Sequence, residues 1–241
     1  MLCLRRLLLV LSLVLLAAFV FVGTVLAKES PKSVELTPCS DTYIILDSVK
    51  MLVNDDNDVE VSVVRTKRMG QKPVSYIIQI DPETKTYRTL EAEPSQRPRE
   101  NPMDVGMMST NYSLGVYVES VDPPQAPLCE SGLWLYWTVN NGKVVSANRY
   151  KDQWDGCPTM FGTHWYLSYH NWGDFYITSG EAFVSSRAKH YNYDFMDPNL
   201  ATYAYHNIDI WGYANGNWKY KATWNHTGEC SYLLGGKVTE Y

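Results

Sequence analysis

Five histidines, one acidic and amide run and one S-x-x-K match are the parts of this 241-residue chain best equipped for chemistry. His164, His170, His190, His206 and His226 all fall in its second half and raise the question of a metal. His164 and His170 share one face of a predicted strand, yet six residues at about 3.3 Å each hold them roughly 20 Å apart. Ligands of a single zinc each lie about 2 Å from it. His206 and His226 are predicted on opposite faces of a hairpin, so no metal site is expected, nor any cofactor. Asn54 to Asp58 offers oxygen ligands for calcium, but lacks the glycine and the closing acid of an EF-hand loop. It reads as turn material. Ser186 and Lys189 match the S-x-x-K of serine acylases, whose serine opens a helix; here the segment reads as a strand, which turns the two to opposite faces. No G-x-S-x-G, H-E-x-x-H, P-loop or dinucleotide fingerprint occurs. Asp174, Glu181, Asp194, Asp209 and Glu229 are carboxylates a glycosidase could use, but their pairing in space is not readable from sequence.

The stretch from Tyr203 to His226 offers a different chemistry. Asn215-Gly216 suits both centres of a two-residue type I′ turn. That turn sets Tyr213 opposite Trp218, Trp211 opposite Tyr220, Asp209 opposite Ala222, Asn207 opposite Trp224 and Tyr205 opposite His226. Opposed residues share a face of an antiparallel pair. The result is an aromatic ladder with a carboxylate and an amide in it, the ingredients of a sugar-binding platform. Trp211, Tyr213, Trp218, Tyr220, Trp224, Asp209 and Asn207 are the candidate ligand-binding residues. The competing reading is core, because aromatics dominate buried area in strands.

The other face of this hairpin is divided. It carries Lys219, Lys221, Thr223 and Asn225 on one strand, which want water, and Ile208 and Ile210 on the other, which want burial. Burial of the ladder is the expectation, with lysine stems lying over the isoleucines or a bulge near Asn207 to Asp209. If the isoleucines are core instead, the ladder is an exposed apolar patch and implies a partner.

The elements that position these residues begin after a targeting segment. Arg5-Arg6 precede an apolar run from Leu7 to Val22, and Val25-Leu26-Ala27 ends in small residues before Lys28, the pattern of a signal peptide over residues 1–27. The alternative is an uncleaved anchor over residues 7–26, since about 20 apolar residues span a bilayer. Export is expected either way. Without Arg5 and Arg6, 19 Lys+Arg face 26 Asp+Glu, a formal charge of −7. This opposes nucleic acid as a partner, and allows a membrane only through the N-terminal segment. Cys39, Cys129, Cys157 and Cys230 are an even number in an exported chain, and Cys129–Cys157 with Cys39–Cys230 is the expected pairing of three.

Period-two alternation at Val59, Val61 and Val63, at Val74 to Ile80 and at Tyr112 to Val118 predicts half-buried strands. Leu133 to Val139 and Val144 to Tyr150 flank Asn141-Gly142, a second I′ signal, and are apolar on both faces, as centrally placed strands are. Residues 28–127 contain five aromatics, all tyrosine, whereas all eight Trp lie in 128–241. With the proline-rich joint at 122–127, that shift divides the chain into an N-terminal β unit, 28–127, and an aromatic-rich C-terminal β unit, 128–241. No helix of any size is expected. The fold class is all-β, an antiparallel β-sandwich of short hairpin-connected strands.

These readings converge on an exported, non-catalytic β protein that binds a polysaccharide or another cell-surface component through exposed aromatics. A structural or adhesive subunit, self-associating through edge strands, is the alternative. An extracellular hydrolase ranks third.

Overall fold

The computed structural model describes residues 33–53, 58–94, 109–122, 126–155, 164–193, 200–228 and 230–241. Fourteen strands follow in chain order: β1 Ser33–Glu35, β2 Thr37–Pro38, β3 Ser48–Val53, β4 Val59–Lys67, β5 Ser75–Asp81, β6 Thr86–Glu91 and β7 Thr110–Val121, then β8 Pro127–Asn140, β9 Lys143–Asp155, β10 Trp165–Ile177, β11 Glu181–Asn192, β12 Thr202–Tyr213, β13 Trp218–Gly228 and β14 Gly235–Glu240. Two seven-stranded sheets result, ordered β1-β3-β4-β13-β12-β11-β10 and β2-β6-β5-β14-β7-β8-β9. All pairings are antiparallel except the short β2–β6 contact. The expected all-β sandwich is what the chain forms. Residues 1–27, expected as a signal peptide, lie outside the described residues, as do Asn54 to Asn57, Cys157, Asp194 and Glu229.

Two expectations need correction. Lys32 to Tyr241 is one compact unit, and the composition break near Pro127 is not a domain boundary. β4 from the tyrosine-only half pairs with β13, and β14 inserts between β5 and β7, so each sheet draws on both halves. The segment Cys230 to Leu234 carries a 3-10 turn at Ser231–Leu233. No disulfide forms among the described residues, and the expected Cys39–Cys230 bridge is absent. Cys39 follows the outermost strand of the second sheet, whereas Cys230 follows β13 in the middle of the first. Cys129 is a buried thiol; burial raises its pKa, against a hydrogen bond with Ser120 that lowers it.

The core lies between the sheets. Val61, Val63, Val184, Ile208, Ile210 and Tyr220 from the first meet Tyr76, Leu114, Val116, Leu133, Leu135 and Val238 from the second. Two glycines allow tryptophans to cross the gap. A Cβ on Gly212 would sit 2.5 Å from the Trp137 indole, and one on Gly236 would sit 2.1 Å from that of Trp224. β8, the strand apolar on both faces, is interior as its pattern requires, but its partner β9 is an edge, which leaves Val145 exposed.

Asn141 and Gly142 both take positive φ, 49° and 68°, the I′ geometry expected there. The other Asn-Gly does not. Gly216 alone turns left-handed, at 80°; its N–H donates to Tyr213 O at 3.0 Å, and Tyr213 N–H donates to Asn217 O at 2.9 Å. This is a three-residue loop, a type I turn closed by a glycine bulge. It shifts the β12–β13 register by one residue, so Trp211 opposes Lys219, Ile210 opposes Tyr220, Ile208 opposes Ala222 and His206 opposes Trp224. A one-residue slip exchanges the faces of one strand relative to the other.

Candidate functional site

The slip removes the conflict between lysines and isoleucines. Ile208, Ile210, Trp218, Tyr220 and Trp224 all face the core, and Lys219, Lys221, Trp211, Tyr213, Asp209 and Asn207 all share the outer face. The seven candidate ligand residues are therefore divided. Trp218, Tyr220 and Trp224 are buried and cannot meet a ligand; Trp211, Tyr213, Asp209 and Asn207 remain together on the outside.

β10 and β11 extend that outer face with rings absent from the candidate set. Tyr176 stacks on Phe183 at 5.0 Å and Phe183 packs on Trp211 at 4.8 Å, so three rings cross three strands in a row. Lys219 caps the row 5.1 Å over Trp211. At the other end of the same strands Tyr166 stacks on Tyr191 at 5.5 Å, and Lys189 sits 4.2 Å over Tyr203 and 5.2 Å over Tyr205. Between the two aromatic groups lies a polar strip, where Arg187 Nη1 donates to Asp209 Oδ1 at 2.7 Å with Asn207 alongside. Trp211 and Tyr205 are six residues apart on β12, about 20 Å. Tyr176 and Tyr166 are 41% and 48% exposed. Tyr166, Tyr169, Tyr176 and Phe183 are not legible as site residues from the sequence, because two register shifts interrupt the alternation of β10. β10 is one strand with two register shifts, the second at Gly173, where Ser185 crowds any Cβ.

The interior holds a second constellation. In the corrected register His206 and His226 share the inner face and reach one hydroxyl: Ser120 Oγ lies 2.8 Å from Nε2 of each. Ser131 Oγ lies 3.1 Å from His206 Nδ1 and 2.9 Å from His190 Nε2, and His190 Nδ1 lies 2.8 Å from Asp155 Oδ1. A backbone hydrogen bond to Leu234 closes the His226 end. Six links therefore join Asp155 to Leu234. Three neutral imidazoles and two hydroxyls supply five protons for them, since each contributes one. Those five protons close five of the six links, and the contact of His190 with the Asp155 carboxylate is the one left over.

Asp155, His190 and Ser131 have the order of a carboxylate–base–nucleophile relay. Ser131 is 1% and His190 0% exposed, and His206 occupies the serine from its other side, so no substrate carbonyl can reach it. Burial lowers the His206 pKa well below the usual range and brings His226 to about 4. His170, desolvated and near Lys151 and His190, is also held at about 4. Among the described residues no group of three or more His, Cys, Asp or Glu could hold a metal. Ser186 and Lys189 lie on opposite faces of β11, the serine buried.

At the other end of the interior, Glu240 is buried against Arg65 and against Lys67 at 3.7 Å, and Tyr76 meets Tyr220 at 2.5 Å between the hydroxyl oxygens. Desolvation pushes the Glu240 carboxyl up, opposed by the two cations. Near His226 an apolar cleft of about 380 Å³ opens between the sheets, lined by Met51, Val61, Ile78, Ile80, Trp224 and Leu234 among others.

Compared with known proteins, the chain matches no family model, no curated protein and no solved structure.

Proposed function

We propose that the protein is an exported, non-catalytic binding module that engages carbohydrate through the outer face of its first sheet. The observation that carries this reading is the row Tyr176–Phe183–Trp211 on the outer face, in which the buried Phe183 backs the exposed Tyr176 and the half-buried Trp211 beside the Arg187–Asp209–Asn207 strip. Flat rings meet the apolar face of a pyranose, while the carboxylate, guanidinium and amide meet its hydroxyls. The rings are held by their neighbours and lie on regular strands, so little order is lost on binding. An aromatic patch of this extent on an open surface favours a partner.

Assembly through edge strands fits less well. β10 carries two bulges, and on its inner side Arg149 covers Trp172 at 4.3 Å and Phe175 at 4.7 Å. Bulges and charged cover are the devices that keep edges from pairing. Export rests on the N-terminal sequence, and the cell surface or the extracellular space is the proposed location.

Retention on insoluble polysaccharide tests the proposal. Wild type is expected to be retained and Trp211→Ala to be lost from the bound fraction with its thermal midpoint lowered by no more than about 4 °C. Equal retention of the two would remove the outer face as the site.

A further inference from the structure

Resting on that reading, the charge pattern around the rings narrows the ligand class. The mature chain is acidic, at a formal −7 once Arg5 and Arg6 are set aside. On this face the cations stand out. Arg187 is engaged by Asp209, but among the described residues Lys189, Lys219 and Lys221 form no ion pair with a carboxylate. Lys189 and Lys219 lie over tyrosine and tryptophan rings instead. An ammonium over a ring keeps its charge and most of its donors, and is held in position for an incoming anion.

Lys219 also belongs to a second feature. Beyond β13 the outer face dips into a shallow depression of about 460 Å³ on β1, β3, β4 and β13. Ser33, Ser48 and Ser62 supply hydroxyls there, and Lys219 and Lys221 form the wall nearest the rings. Glu60 also lines it, and Lys50 is drawn toward Glu35 at 3.5 Å, which leaves the positive charge concentrated at the β13 side. One lysine thus joins the ring row to a hydroxyl- and ammonium-lined basin.

We infer that the ligand is an acidic carbohydrate polymer, with a sugar ring seated on Trp211 and a carboxylate or sulfate of the neighbouring unit held by Lys219 and Lys221 in the depression. Charge-assisted contacts of ammonium to carboxylate or sulfate are the stronger class of hydrogen bond, and here they adjoin the stacking surface.

Electrophoresis of the exported chain through gels containing polygalacturonate or neutral hydroxyethylcellulose tests this. Wild type is expected to be retarded more strongly by polygalacturonate, with the excess disappearing as salt is raised. With each mobility taken relative to a ligand-free gel, the double variant Lys219→Gln/Lys221→Gln is expected to lose affinity for polygalacturonate by about tenfold and to show the wild-type retardation in the neutral gel. Equal retardation in the two gels, including none in either, overturns the inference, as does a double variant indistinguishable from wild type. Trp211→Ala is expected to weaken retardation in polygalacturonate; if it does not, the aromatic-face reading itself falls, a result distinct from failure of the charge argument.

Discussion

Trp211 lies opposite Lys219, and Tyr220, one position further on, lies opposite Ile210. That single offset decides which aromatics of the hairpin are core and which are surface. It puts Trp218 in the same buried layer as Ile208 and Ile210, and Trp211 in the same open layer as Lys219 and Lys221.

The two tryptophans should therefore respond differently to truncation. Trp218→Ala is expected to cost about 3–5 kcal/mol, as removal of a buried indole does. Trp211→Ala should cost less, about 1 kcal/mol, since its ring is only half-buried on the outer face. Urea unfolding of the two variants measures both; equal losses would place Trp211 in the core.

The interior hydrogen-bond chain makes a sharper demand at its charged end. Asp155→Asn can donate to His190 Nδ1, so all six links close with neutral imidazoles, and stability should stay within about 1 kcal/mol of wild type. Asp155→Ala leaves a buried imidazole nitrogen without a partner and should cost about 1–3 kcal/mol. If the asparagine variant is as unstable as the alanine one, the proton count is wrong.

Acid should destabilise the fold over a defined window. His170 and His226 are held at about 4, and His206 lower than usual, so below about pH 6.5 the unfolded chain binds protons that the native chain refuses. Stability contributed this way is complete above the unfolded histidine range and is lost as pH falls. Each histidine adds up to about 1.4 kcal/mol per pH unit to the slope. His226→Gln should reduce the slope between about pH 4 and pH 6.5; a slope unchanged by it would contradict its neutral state in the native protein.

Much of the fold was legible from residue patterns. The alternation at Val59, Val61 and Val63 gave β4, and the two-sided apolar pattern of Leu133 to Val139 gave an interior strand. The register at Asn215-Gly216 was not legible from the dipeptide, because both a two-residue I′ turn and a three-residue bulged loop take glycine at positive φ. They differ in Asn215, which has no positive φ here, whereas Asn141 does. The information was nonetheless in the chain. Lys219 and Lys221 could not be outside while Ile208 and Ile210 were inside unless the strands slipped by one residue, and the same slip brings His206 and His226 together on Ser120. The pairing of β4 with β13 had no local signal, since it joins residues some 160 positions apart, such as Ser62 and Thr223. A change in aromatic content near Pro127 therefore looked like a boundary when it marked only where the tryptophans begin.

Oxidation of tryptophan with N-bromosuccinimide, read residue by residue by mass spectrometry with and without a soluble acidic oligosaccharide, bears most directly on the outer face as the binding surface. Trp211 and the exposed Trp172 are expected to be modified while Trp218 and Trp224 resist, and the oligosaccharide is expected to protect Trp211 but not Trp172. A Trp211 that resists the reagent, or one oxidised equally fast with the oligosaccharide present, would contradict it.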